Sequence, residues 1–477
     1  MSEATHYETA PEDRIPFYQK VIYGSGAFVN NLLADSIGRM MIVLNLGLGM
    51  SPALVGLLGA LPRLTDALTD PLMGYTSDKT NSRWGRRRPY IFVGAIAVGI
   101  VFTLLWQLPP GKSEGWYFWY FLAGSLIFFL AYTVFATPWV ALGYELTPDY
   151  HERTRLMGVQ NFFGNITYMI SPYFLAIMYL PVFGDVVTGA SYLAMVIAGV
   201  VIVVGVLPAI FLRERLKNIA ASEPGGKETT VGDVVKDFFR GFGKALAFKP
   251  FLKLCIATFL VFNGFILIAA FQSYVIIYYV FEGDQAAGSV FVGHSGLVQA
   301  FSALAVIGLV TYLATKIGKR RAFFISTGVS MVGYALKWFC YTPDNPWLLL
   351  IPAPLMAFGL AGLFTLMPSM VADVVDADEL NTYERREGMY GSIFWWVVKL
   401  GQSVAILGGG LLLVWTGFDV ELGGEQTAEA IRLMRLCDAL IPCIASGIAI
   451  WAIASYTITE EKAHEVRREL EARRGTS

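Results

Sequence analysis

The chain has 477 residues, 55% of them hydrophobic and 15% charged; an average soluble protein is about 45–50% apolar and about 25% charged. A soluble fold cannot hide that much apolar surface from water, so an ordinary soluble enzyme, a disulfide scaffold and a disordered chain are all excluded. The net charge of -1 comes from 36 Lys+Arg against 37 Asp+Glu, so the placement of the basic residues carries the information.

Residues 1–16 form a polar, acidic tail, with neither the basic start nor the apolar stretch of a secretion signal. A spanning helix needs roughly 20 apolar residues. That ruler marks twelve runs: 17–46, 52–75, 89–109, 114–145, 155–180, 185–212, 251–280, 286–315, 320–341, 346–374, 389–416 and 430–456. All far exceed the about 9–11 residues of a barrel strand, so an all-α membrane protein with twelve transmembrane helices is expected. Helix 1 carries Asp35 and Arg39, helix 2 carries Arg63, Asp66 and Asp70, helix 9 carries Lys337 and helix 11 carries Lys399. The four cysteines fall in apolar runs and read as small hydrophobes rather than ligands. Basic residues gather in the loops after helices 2, 4, 6, 8 and 10 and in the tail. The opposite loops hold only Lys112, with Arg432 and Arg435 entering helix 12. The positive-inside rule therefore places both termini in the cytoplasm, with the protein in a plasma (inner) membrane.

Residues 213–249 form the one polar linker, and its later part, VGDVVKDFFRGFGKALAF, has the pattern of an amphipathic surface helix. The linker divides an N-terminal bundle, 17–212, from a C-terminal bundle, 250–456, and a cytoplasmic tail follows at 457–477. The halves echo each other. Pro138, Asp149, Arg155 and Gly158 after helix 4 recur as Pro368, Glu379, Arg385 and Gly388 after helix 10, each 230 residues on. Gly85-Arg86-Arg87-Arg88 after helix 2 recurs as Gly318-Lys319-Arg320-Arg321 after helix 8, 233 residues on. Two six-helix halves repeated in this way make up the major facilitator fold.

Ionisable groups inside a span cost at least about 2.5–3.5 kcal/mol at its centre, so each is a candidate for function. Arg63, Asp66 and Asp70 share one helical face. Two carboxylates one turn apart suit a monovalent cation, or a proton shared between them. The alternative is a network in which Arg63 and Lys399 neutralise both acids. Asp35 and Arg39 read as a self-neutralised pair.

The stretch Asp66-Ala-Leu-Thr-Asp70-Pro71-Leu-Met-Gly74, followed by Ser82-Arg83-Trp84-Gly85-Arg86-Arg87-Arg88-Pro89, resembles the signature of the glycoside–pentoside–hexuronide:cation symporters. The loop from Glu145 to Arg155, the helix 11 segment Val397-Val398-Lys399 with Gly401, and the helix 1 segment Tyr23-Gly24-Ser-Gly26-Ala27-Phe28 are also similar to that family. The resemblance implies a cation site at Asp66 and Asp70, with Thr133 and Lys399 nearby and Thr69 between the two acids; Lys399 is the expected coupling residue, and Arg63, on the face of the acids, is grouped with it because it can neutralise one of them. Thr69 stands where melibiose permease-like members have Asn, which leaves Na+ and H+ both open. Those members bind sugar through charged residues; here the matching positions read Asn30, Asn31, Ala136 and Asn161. A neutral sugar is then expected to meet the amides of Asn30, Asn31, Asn161 and Gln272, with Trp139 or Trp395 as a stacking face.

These features point to a cation-coupled symporter of a sugar or glycoside that works by alternating access. A carrier of an amphiphile or lysolipid is the alternative, because amides replace the sugar-reading charges. No GxSxG, HExxH or Walker A motif supports an enzyme. No organic cofactor, no nucleic acid and no metal beyond Na+ are expected. The expected partners are a small-molecule substrate and membrane lipid, with the protein acting as a monomer. Glu145, Asp149, Arg153, Arg155, Asp376, Glu379, Arg385 and Arg386 form the expected cytoplasmic gate, in which Arg155 and Arg385 pair with carboxylates of the opposite half.

Overall fold

The computed structural model describes residues 14–80, 82–147, 150–214, 243, 245–383 and 387–474, which contain helices and no strand. The long helices are α1 (Phe17–Met40), α2 (Pro52–Lys79), α3 (Arg88–Leu105), α4 (Glu114–Glu145), α5 (Tyr150–Ile170), α6 (Val186–Gly205), α7 (Lys249–Val275), α8 (Gln285–Ile317), α9 (Lys319–Cys340), α10 (Pro352–Thr382), α11 (Glu387–Trp415) and α12 (Ala428–Ala454). A further helix, α13 (Glu460–Arg474), follows them. Side-chain caps set several starts. Ser113 accepts the Trp116 N–H, Asp185 accepts those of Val187 and Thr188, Asp284 that of Ala287 and Thr427 that of Ala430.

Ten segments among the described residues are long and apolar enough to cross a membrane. The helices α2 and α5 are not among them. Along its sequence α2 carries Arg63, Asp66, Asp70 and Asp78. The α5 helix carries Glu152, Arg155, Gln160, Asn161 and Asn165. Polar helices of this kind persist in a membrane protein by turning their polar groups to the protein interior.

Boundaries moved in three places. The α10 helix runs to Thr382 rather than to 374, which puts Asp376 and Glu379 on the helix. It stops where Tyr383 adopts a left-handed conformation (φ 61°) and donates its N–H to the Glu379 carbonyl. The α5 helix starts at Tyr150 rather than 155. The tail, read as an extension past the last span, contains α13, whose Val466 and Leu470 are buried in the same core cluster as Met370 and Val374 of α10. The amphipathic helix expected near 231–248 lies almost wholly outside the described residues.

The chain resolves into two compact units, Met1–Leu48 with Leu61–Lys227, and Gly49–Ala60 with Glu228–Ser477. In the first, α1 packs on α5 and α3 on α4; in the second, α7 packs on α12 and α11, and α9 on α10. Gly26 lets α4 approach α1, since a Cβ there would fall 2.2 Å from the Trp139 indole nitrogen.

The sequence echo between Gly85 and Gly318 has a structural counterpart in each unit. Gly85 (φ 113°) and Gly318 (φ 84°) both take a backbone conformation that favours glycine. A Cβ on Gly85 would strike Glu214, and one on Gly318 would strike Glu460. Glu214 accepts the N–H groups of Arg86, Arg87 and Arg88 at 2.8, 2.8 and 3.0 Å, so it caps the start of α3 with a carboxylate. The Arg88 side chain then reaches the carbonyls of Ala209 and Ile210, at 2.5 and 2.8 Å. In the second unit, Arg320 likewise donates to the Ala454 carbonyl, and Lys319 pairs with Asp373 at 2.7 Å.

Candidate functional site

The first unit builds an acid–hydroxyl cluster between α2 and α4. The Asp70 carboxylate accepts from the Thr133 hydroxyl at 3.1 Å and from the Thr137 hydroxyl at 3.3 Å. Thr69 lies 3.4 Å from Thr133, hydroxyl to hydroxyl, and also donates to the Thr65 carbonyl at 3.2 Å. Thr133 and Thr137 are one turn apart on α4, so both hydroxyls face α2. Thr133 is 1% exposed. Three of the four expected cation residues, Thr69, Asp70 and Thr133, are thus brought together. The side chain of Asp66, the fourth, lies outside the described residues, although its place on α2 is one turn before Asp70. Thr137 is an addition that the sequence pattern did not single out, although the i, i+4 spacing from Thr133 pointed to it. Arg63 lies over the Phe129 ring, 5.7 Å from its centroid. One carboxylate oxygen ringed by hydroxyls is a hard, all-oxygen donor set, suited to Na+ or to a proton on the carboxyl rather than to a soft metal. Among the described residues no group of three His, Cys, Asp or Glu could hold a metal ion.

The expected substrate residues divide. Asn30 donates to Asn31 at 3.3 Å and accepts from the Tyr132 hydroxyl at 2.9 Å; Asn31 donates to the Gly164 carbonyl at 3.1 Å. These amides therefore tie α1 to α4 and α5, and they occupy positions that charged groups take in the resembled family. Asn161 is exposed on α5. Trp139 is a correction: its ring is 1% exposed, stacked on Tyr23 at 5.1 Å and on Phe135 at 6.5 Å, and its N–H goes to the Tyr23 carbonyl. It is core and offers no free stacking face. In the second unit, Gln272 donates to the Ser295 hydroxyl at 2.9 Å. Trp395 is 50% exposed and stacks on Phe364 at 6.0 Å, so one face is packed and the rest is open. Lys399 is an exposed residue of α11 in the second unit. Asp35 and Arg39 pair at 2.6 Å, as their spacing suggested.

The expected gate is anchored by a residue absent from it. Glu152, buried on α5, pairs with Lys20 at 2.6 Å and with Arg155 at 3.1 Å, and accepts the Ile15 N–H at 2.9 Å. Arg155 thus meets a carboxylate of its own helix. Burial pushes the Glu152 carboxyl up, but hydrogen bonds from Lys20, Ile15 and Arg155 prevail and hold it below the usual carboxylate range. Asp376 and Glu379 lie partly buried on α10. Asp149, Arg385 and Arg386, and the side chains of Glu145 and Arg153, lie outside the described residues.

The sequence pattern of the family described as MFS/sugar transport protein matches residues 22–460. The chain belongs to that family. A relative named as an uncharacterized symporter, from Synechocystis sp., is 26% identical over 97% of this chain and 98% of its own. A glucuronide carrier protein homolog from Escherichia coli is 24% identical over 89% of each chain. The crystal structure of a bacterial homolog to the human lysosomal transporter Spinster, inward-facing and unoccupied, superposes with a TM-score of 0.68 at 16% identity, over 94% of this chain and 98% of that one. The protein is an integral membrane transporter with the major facilitator fold and is not an enzyme.

Proposed function

We propose that the protein is a secondary active symporter that moves a sugar or glycoside together with Na+ or H+, in a plasma (inner) membrane with both termini cytoplasmic. The observation that carries the coupling is the Asp70 carboxylate bonded to Thr133 and Thr137, with Thr69 beside them. A transporter that only equilibrates its substrate has no use for a charge kept inside a span at that cost. An ion that binds this cluster in one conformation better than in the other shifts the balance between them and drives uphill transport. Lys399 is the basic group assigned to sense ion occupancy, and Arg63, on the helix of Asp70, is the group able to neutralise one of the acids. Similarity to the glucuronide carrier homolog supports a glycoside, and the neutral amides Asn30, Asn31 and Gln272 fit hydroxyl groups better than carboxylates.

The test is uptake of a panel of neutral glycosides and glucuronides into proteoliposomes under imposed Na+ and pH gradients. Accumulation driven by one gradient and abolished by Asp70→Asn is expected. Gradient-independent equilibration of a glycoside would refute coupling, and uptake of a lysolipid with no sugar uptake would point to the amphiphile reading.

A further inference from the structure

A second ionised site lies wholly within the second unit. The Lys337 ammonium on α9 sits 2.8 Å from the Asp438 carboxylate on α12, and both side chains are only 2% exposed. Asp438 lies ten residues into α12, about 15 Å along its axis, so the pair is well inside the spanning run. Removing two charges from water costs several kcal/mol per ion, and apolar residues of similar volume often hold helices together as well or better. A role in packing alone therefore leaves the pair unexplained.

The surroundings give each partner a second state. The ammonium lies 5.9 Å from the Tyr334 ring centroid and 5.5 Å from that of Tyr341, so two π faces can hold its charge if Asp438 is neutral. The Tyr341 hydroxyl is buried without a completed hydrogen bond, beside Ser295 and within reach of the Asp438 charge. Ser295 in turn accepts from Gln272. Pro442 stands one turn after Asp438 and has no N–H, so the Asp438 carbonyl lacks its helical partner and α12 is loosened at this point. Arg435, a turn earlier, is clamped between the Tyr279 ring, in the Ile276–Val280 segment that follows α7, at 3.9 Å and the Trp338 ring of α9 at 4.4 Å, and donates to the Trp338 carbonyl at 2.7 Å. It is held beside the pair without neutralising Asp438. The other titratable neighbours are thiols: Cys340 by Tyr341, Cys437 by Asp438 and Cys443 by Lys337.

We propose that Asp438 is a proton-binding site: when its contact with Lys337 breaks, the carboxylate takes up one proton and the ammonium remains in its tyrosine cage. A lone carboxylate in this site would be buried without an opposing charge, and one proton removes that cost. This proposal stands apart from the ion chosen at Asp70.

The experiment is infrared titration of the purified, lipid-reconstituted protein, without substrate and without a gradient. Wild type is expected to show a protonated-carboxyl band that grows on acidification and has a component missing from Asp438→Asn but retained in Asp70→Asn. Lys337→Met should make that component insensitive to pH, because the unpaired carboxyl stays protonated. Identical titrations of wild type and Asp438→Asn would overturn the proposal. Should the single variants fail to fold, the double variant Lys337→Met/Asp438→Leu removes both charges; loss of the component there supports the site and its survival refutes it. Because no transport is measured, a negative result here leaves the symport reading standing, and a failure of symport leaves this one standing.

Discussion

Replacing Thr133 by Val keeps the shape of the side chain and removes the hydroxyl that donates to Asp70. The contact is 3.1 Å long and buried at 1% exposure, whereas the parallel Thr137 contact is 3.3 Å long and less enclosed. A hydrogen bond to a charged group is worth about 1.5–3 kcal/mol net. The same oxygen is also a candidate ligand for the ion, so its loss removes a donor in the bound state as well. Taking the hydroxyl's contact with a bound Na+ as of the same order, at tenfold for each about 1.4 kcal/mol, the expected loss of Na+ affinity is about tenfold to a hundredfold for Thr133→Val, with Thr137→Val toward the lower end; losing a donor to the carboxylate does not weaken proton uptake, because it favours the neutral form. The assay is 22Na+ binding to the purified variants, with proton uptake at Asp70 followed by infrared spectroscopy, so that either ion gives a signal. Thr133→Ser, which restores the hydroxyl, should recover most of the loss. If both Val variants bind Na+ and protons as wild type does, the cluster is not the ion site.

Four further outcomes follow from the packing. Glu214→Gln should loosen the connection between α2 and α3, because three N–H groups share its carboxylate; at least about 1.5–3 kcal/mol of stability should be lost in thermal melts. Glu152 has its carboxyl held below the usual range. Its stabilising contribution is therefore full above the ordinary glutamate value of about 4.3 and disappears as pH falls through the lower folded value; melting temperature against pH should lose this acid-side dependence in Glu152→Gln. Trp139→Ala should cost about 3–5 kcal/mol, as expected for a core aromatic, while Trp139→Phe should fold and keep its substrate affinity; loss of affinity in a folded Phe variant would restore the stacking role. Leu470→Ala should cost about 2–5 kcal/mol of α13 docking, read as faster proteolysis in the connection after Tyr456.

How much of this was legible in advance depended on the range of the interaction. Hydropathy runs located the helices because a spanning helix must be apolar over its own length, a property written locally in the chain. Spacing put Asp66 and Asp70 one turn apart and paired Asp35 with Arg39, because i, i+3 and i, i+4 neighbours are fixed by the helix itself. The repeat of Gly85 and Gly318 was also readable, because a positive φ selects glycine wherever it recurs.

Long-range partners had no such signature. The carboxylates that fill the space at those glycines, Glu214 and Glu460, stand 129 and 142 positions further along the chain. Glu152 meets Lys20 across 132 positions, and Asp438 meets Lys337 across 101. In sequence Asp438 is one acid in an apolar run, and Trp139 is an aromatic that could line a cavity or pack in a core. The residue it faces decided the matter: Gly26 leaves room for the indole, Tyr23 accepts its N–H, and the ring is closed off. Composition and periodicity determined that this chain is a bundle of membrane helices with charge inside it. Only the tertiary structure decided which charges are paired, because burying an ion is tolerable only beside a partner, and that partner can come from any helix the fold brings alongside.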